Sequence, residues 1–241
     1  MRALLYTFYL KTKLDLRNAE ILISYYAVPL VFFAIMGSVF TTIMPDAFET
    51  IFQTMTIFTV TMGAFIGTPA TMTQYVGDMM RKTLKSAGIP LYALVLSTFV
   101  SGVINLIVVT LIIALGSTVF FNATGPQNIG VFLAGYPLFL GATLSMGILL
   151  GLYARNSARL AMYSQALFLP SLLLSGIMFP AEMLPSVLRT VGFLFPARHA
   201  MQLFTAHEHA LLPYLFLGGF MILATVMILL KIKSLRLDDR V

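Results

Sequence analysis

The chemistry available to this 241-residue chain rests on few side chains: nine Asp and Glu, three His and no Cys. The lack of cysteine removes disulfides, thiol nucleophiles and thiolate metal ligands. The densest cluster is His207-Glu208-His209. Histidines two residues apart point roughly 200° from each other on a helix, whereas a zinc site of the H-E-x-x-H type sets them on one face. The triplet therefore reads as wetted loop residues, and no metal is expected. No G-x-x-x-x-G-K-[S/T] run occurs, so the chain has no phosphate loop for ATP hydrolysis. All nine carboxylates fall at the ends of apolar segments or between them, which argues against a proton- or sodium-coupled carrier built on a buried acid. No catalytic residue is expected.

What remains is a pattern of neutral polar residues inside apolar sequence. Thr54, Thr61 and Thr68 recur at sevens and share one helical stripe. Ser164, Phe168, Ser171 and Ser175 follow i, i+4, i+7 and i+11, with Gln165 alongside. Polar side chains within a bilayer face protein or water, so these stripes are candidates for a pathway or a dimer interface. The competing reading is that each hydroxyl bonds its own helix backbone. Gly63 with Gly67, and Gly147 with Gly151, are G-x-x-x-G pairs that let helices approach closely, more readily within one bundle than between chains. Asn105 is expected to bond a neighbouring helix.

The elements that position these residues follow from composition. The chain is 59% hydrophobic and 10% charged, with mean hydropathy +0.93. Soluble domains run near 25% charged, so this is read as an all-α integral membrane protein. Six segments approach the roughly 20 apolar residues that a bilayer needs: 21–44, 51–73, 91–121, 129–154, 160–179 and 211–230. With both termini on one side, thirteen of the fifteen Lys and Arg fall on that side, leaving Arg189 and Arg198 opposite. The positive-inside rule then makes both termini cytoplasmic. The net charge of +6 is mostly topology, with anionic lipid headgroups as its partners and no nucleic acid.

Four stretches outside the spans carry further expectations within a single permease domain, 1–241. Residues 1–18 are charged where a cleavable signal needs its apolar core, and Leu4, Leu5 and Phe8 beside Lys11 and Lys13 suit an interfacial helix. In the loop 75–90, Asp78 is a helix start and Gly88 with Pro90 a stop. Between them Arg81, Lys82 and Lys85 oppose Met80, Leu84 and Ala87, predicting a short amphipathic cytoplasmic helix. Residues 155–159 make a tight inner turn. The segment 180–210 is broken by Pro180, Pro185 and Pro196 into short helices too apolar for a solvated loop, and is read as re-entrant.

At this point the residues resemble a known family. The run Ser175-Gly176-Ile177-Met178-Phe179-Pro180, then Leu184-Pro185 and Phe195-Pro196-Ala197-Arg198-His199, looks like the C-terminal signature of type-2 ABC transporter permeases. The segment 81–90 is similar to their coupling helix, although Met79-Met80-Arg81-Lys82 stand where such chains usually begin it with glycine. The resemblance covers essentially the whole chain and implies a half-transporter in the cytoplasmic membrane. Two permease chains would pair, each on a cytoplasmic ATP-binding subunit that carries the ATP and Mg. Asp78, Arg81, Lys82, Leu84 and Lys85 would meet that subunit, and spans two and five would move. Phe179, Pro180, Pro185 and Pro196 would form an outer gate segment. Export of an amphiphile such as a drug, antibiotic or lipid-like molecule is the leading expectation. Polysaccharide or glycolipid export, sodium export, and a non-transporting structural protein or channel are the alternatives.

Overall fold

A computed structural model describes residues 18–43, 50–76, 90–121, 123, 125–126, 128–154, 156–178, 183–205 and 211–238. Every regular element among them is helical. Helix α1 (19–43) consists of Ala19–Leu22, a π-helical turn Ile23–Ala27 and Val28–Ile43. Helix α2 (51–76) repeats that plan with Ile51–Met62, a π-turn Gly63–Gly67 and Thr68–Val76. Then come α3 (Leu91–Phe121), α4 (Ile129–Tyr153), α5 (Ser157–Leu174), the short α6 (Ser186–Gly192) and α7 (Pro196–Thr205), and α8 (Leu211–Asp238).

Helices stand at all six expected spans, but four are long and apolar enough to cross a membrane: Ile51–Gln74, Leu91–Phe121, Ile129–Tyr153 and Leu211–Leu235. Ile23–Val39 is a shorter apolar stretch. Helix α5 has 18 residues and dilutes its apolar content with Arg159, Ser164, Gln165 and Ser171. The chain is a multi-pass membrane protein. The expected interfacial and coupling helices lie outside the described residues.

The bundle is organised around α2. Of its most apolar 18-residue window, 94% is buried, against 22% for α8. Helices α1, α3, α4, α5 and α7 all pack on it. Its closest neighbour is α4, and glycine makes that possible. A Cβ at Gly147 would collide with the carbonyl oxygen of Ala64, and one at Gly151 would lie 2.8 Å from that of Pro69. On another side the Tyr25 ring of α1 lies against Gly63 and Gly67, where a Cβ would come within 3.1 and 2.5 Å of it. Both glycine pairs therefore work within one chain. Since lipid is as apolar as leucine, it is backbone approach and packing that join such helices.

Local rules set the helix ends. Asn128 Oδ1 accepts from the Val131 amide at 3.2 Å and starts α4; Asn156 Oδ1 accepts from that of Arg159 at 2.8 Å and starts α5. Helix α5 ends where Gly176 turns left-handed, at φ 99°, a conformation glycine adopts without a Cβ clash. Lys231 of α8 sits 4.7 Å from the ring centre of Tyr153 at the end of α4, a cation–π contact.

Gly147→Ala forces α2 and α4 apart and is expected to destabilise the bundle by about 1–3 kcal/mol. Gly218→Ala, where a Cβ meets nothing within 4 Å, is expected to leave stability unchanged or raise it by up to about 1 kcal/mol, since alanine is the better helix former. Thermal unfolding of the two variants in detergent checks the contrast; equal melting temperatures would contradict it.

Candidate functional site

The polar residues of α2 and α5 come together along one junction. The two helices run antiparallel: Phe58 meets Phe168 with ring centres 6.0 Å apart, while Ile66 and Ala70 share a cavity with Leu160 and Ala161. Helix α5 divides its faces. Leu160, Ser164, Phe168, Ser171 and Ser175 are buried, whereas Met162, Tyr163, Gln165, Leu169 and Leu173 are exposed. Its serine stripe thus points into its own bundle, and Gln165 stands at the border.

At the Gln74 and Ser157 end, the helices splay around a cavity of about 280 Å³. Thr73, Gln74, Ser157, Ser164 and Gln165 give it polar lining, and Ile66, Ala70, Leu160 and Ala161 apolar lining. Thr73 also bridges to α4, donating to the Gly151 carbonyl at 3.2 Å. Further along, aromatic rings close the junction. Phe58 stacks on Phe32 of α1 at 4.0 Å and meets Phe168 edge-on. Beyond the rings lie Ser171 and Ser175. Ser175 donates to the Leu172 carbonyl at 3.1 Å, whereas Ser171, fully buried, has no hydrogen-bond partner among the described residues.

The threonine stripe divides. Thr61 donates to its own helix at Ile57 O, 2.7 Å away. Thr68 donates to Gly63 O at 3.1 Å and shares a 2.5 Å bond with Tyr25 Oη. Thr54 is buried. All three sit inside this chain's bundle. Asn105 bonds across helices as expected, accepting from Tyr26 Oη at 2.7 Å.

Sequence reasoning passed over Gln53. It is 0% exposed, and neither amide atom has a partner among the described residues; the hydroxyls of Thr56 and Thr59 are also unmatched. Each such buried group costs roughly 1–3 kcal/mol. An amide inside an apolar span was the available signal.

At the far end, Pro185 immediately precedes α6 and Pro196 opens α7. Val187, Leu188, Val191 and Leu194 in this region present apolar surface outward. Helix α7 buries Arg198 and His199. The His199 ring stacks on Phe216 at 4.6 Å, and its Nε2–H donates to Phe193 O at 2.9 Å, leaving Nδ1 as an acceptor without a described partner. Phe179 and Pro180 lie outside the described residues, as do Asp78, Arg81, Lys82, Leu84, Lys85 and the His207-Glu208-His209 triplet. No cluster of potential metal ligands occurs among the described residues.

A second cavity, about 720 Å³ between α1 and α3, is lined by Leu30, Phe33, Leu115 and Phe120, with Ser38 as its one hydroxyl. Ser38 already donates to Ala34 O at 2.8 Å. That groove offers a ligand no free polar contact. The α2–α5 junction is the candidate site.

Residues 8–209 match the family model described as ABC-2 type transporter. The chain belongs to that family. It is similar over 63 residues, at 43% identity, to the probable multidrug ABC transporter permease YbhS of Escherichia coli strain K12 and to its counterpart in strain O157:H7. That match takes in 26% of this chain and 17% of each relative. No solved structure matches it. ABC-2 chains are transport membrane subunits that generally work with ABC ATPase subunits.

His199 gives a pH prediction. Helix α7 lies outside the four candidate spans, and burial lowers the proton affinity of His199 below its usual 6.5; the Phe193 carbonyl opposes this and the Arg198 charge reinforces it. The folded state thus binds the proton more weakly than the unfolded chain. Its contribution is fully present above 6.5 and is lost as pH falls through the folded value. Melting temperature is expected to drop between about pH 7.5 and 5, and His199→Gln to flatten that slope. An unchanged slope in the variant would contradict the assignment.

Proposed function

We propose that this chain is the membrane-spanning subunit of an ATP-driven exporter that carries amphiphilic small molecules outward across the cytoplasmic membrane. The observation that carries the reading is the α2–α5 junction. A cavity lined by both polar and apolar residues lies between the two helices, Phe58 and Phe168 meet further along the same junction, and Ser171 stands buried and unmatched beyond them. An amphiphile matches such a lining, because its apolar part needs no polar partner and its polar part finds Gln74, Ser164 and Gln165. The name of the Escherichia coli relatives points to the same class of cargo.

In this reading the chain forms one permease domain with six spans and both termini in the cytoplasm, where the basic residues concentrate. The cavity then opens toward the cytoplasmic side. Residues 1–18 lie as an interfacial helix. Asp78, Arg81, Lys82, Leu84 and Lys85 form the surface that a separate ATP-binding subunit pushes, and that subunit holds the ATP and Mg. Because α2 follows directly into this segment, a push there acts on the α2 wall of the cavity. A second permease chain completes the transporter, and the proline-broken segment with Phe179, Pro180, Pro185 and Pro196 closes the outer side. Polysaccharide, glycolipid or sodium cargo would need a wider or more strongly polar lining than this cavity has. A structural protein or a passive channel would need no ATPase.

Two variants separate these readings. Combined Arg81→Glu, Lys82→Glu and Lys85→Glu is expected to leave membrane insertion intact and abolish co-purification of an ATP-binding subunit. Ser171→Leu is expected to keep that subunit and to reduce export of a fluorescent amphiphile from cells several-fold at equal membrane abundance. Retained co-purification in the first, or unchanged export in the second, would remove the corresponding assignment.

A further inference from the structure

Helices α1 and α2 each contain a π-turn, Ile23–Ala27 and Gly63–Gly67, and the two turns pack on each other. A π-turn inserts one residue and puts local hydrogen bonds out of register. Beside this joint, between α1, α2 and α3, lies a cavity of about 10 Å³. That is room for the centre of one water molecule, and a water also needs two to four polar partners.

The lining supplies them. Tyr25, Thr71, Thr98, Ser101 and Asn105 all border the hole. Most of their hydrogens have acceptors. Thr71 donates to Thr68 O at 2.8 Å, and Asn105 Nδ2 to Ser101 O at 2.9 Å. Thr98 is the exception: it is 3% exposed and its hydroxyl has no partner. A helix-interior threonine ordinarily turns its hydroxyl back onto the carbonyl four residues earlier. Here that carbonyl, Leu94 O, already accepts from Ser97 at 2.9 Å.

We propose that this cavity is a binding site for a single internal water. Thr98 donates to the water, and the water donates to hydroxyl oxygens of the lining, with Thr71 Oγ1 as the first candidate because its own proton is committed elsewhere. The unmatched hydrogen decides the class of occupant. A monovalent cation accepts no hydrogen bond and would leave Thr98 unsatisfied, and the lining offers no carboxylate to balance its charge. The water gives the joint a partner that can exchange hydrogen bonds. The Tyr25 ring can then shift against the Gly63 and Gly67 notch without stranding a polar group. This inference rests on packing between α1, α2 and α3 and is independent of what the chain transports.

Hydroxyl-radical footprinting of the full chain in lipid nanodiscs tests it, since radiolysis of a bound water oxidises the ring beside it. Tyr25 is 3% exposed, so bulk radicals do not reach it, and Phe139, 0% exposed, is the dry reference. Tyr25 is expected to be modified several-fold faster than Phe139. Thr98→Val is expected to bring that rate down to the dry reference, and Thr98→Ser to retain it. A Tyr25 as protected as Phe139 in the unmodified chain would show a dry hole and overturn the proposal. Equal Tyr25 modification in Thr98→Val would also overturn it, by showing that the water is not held at Thr98.

Discussion

The bundle depends on one close approach, that of the α2 and α4 backbones where Gly147 and Gly151 meet Ala64 and Pro69. Within a bilayer no hydrophobic force draws apolar helices together, so contact has to come from backbones that can touch. Removing side chains at these two positions lets α4 lie directly on α2, and α1, α3, α5 and α7 enclose the remaining sides. The enclosure is what permits α2 to be polar. Gln53, Thr54, Thr56, Thr59, Thr61 and Thr68 would be costly on a lipid-facing helix, and here none exceeds 4% exposure.

That arrangement makes α2 unlike its neighbours in energetic terms. Helices α3 and α8 present leucine, isoleucine and valine to lipid on their outer faces. Helix α2 carries hydroxyls and an amide, several of them unmatched in the packed state. Each such group forfeits roughly 1–3 kcal/mol while it has no partner. Across the α2–α5 junction the Phe58–Phe168 ring contact is worth about 0.5–1.5 kcal/mol, and Phe32 of α1 also stacks on Phe58.

Much of this architecture was legible in the sequence, and the gaps have physical causes. Apolar runs place the helices because bilayer thickness sets their length, and the boundaries at Leu91, Ile129 and Leu211 agree closely. Asn105 announced its cross-helix bond because an amide in an apolar span needs a partner. Pro185 and Pro196 marked helix starts since proline loses no hydrogen bond there. Periodicity places residues on a common face but does not name the helix opposite. The serine stripe of α5 could thus be recognised while its contact with α2 of the same chain could not. The π-turns left no composition signal, and they rotate everything after them by an extra residue. That shift lets Thr68 reach Tyr25 Oη while Thr61 bonds its own backbone. Gln53 stands outside the hydroxyl stripe, so periodicity did not mark it, although its buried amide leaves two atoms unmatched.

If cargo passes between α2 and α5, the two helices must separate at the cavity. The absence of native cysteine makes it directly testable. Cysteines placed at Ala70 and Ala161, on facing walls of the cavity, would be joined by a short reducible cross-linker in membranes containing the cognate ATP-binding subunit. Cross-linking is predicted to stop ATP-driven movement of a fluorescent amphiphile, and reduction to restore it, with either single-cysteine chain unaffected. Undiminished movement through the cross-linked pair would show that the junction stays closed during transport, and the route would have to lie elsewhere.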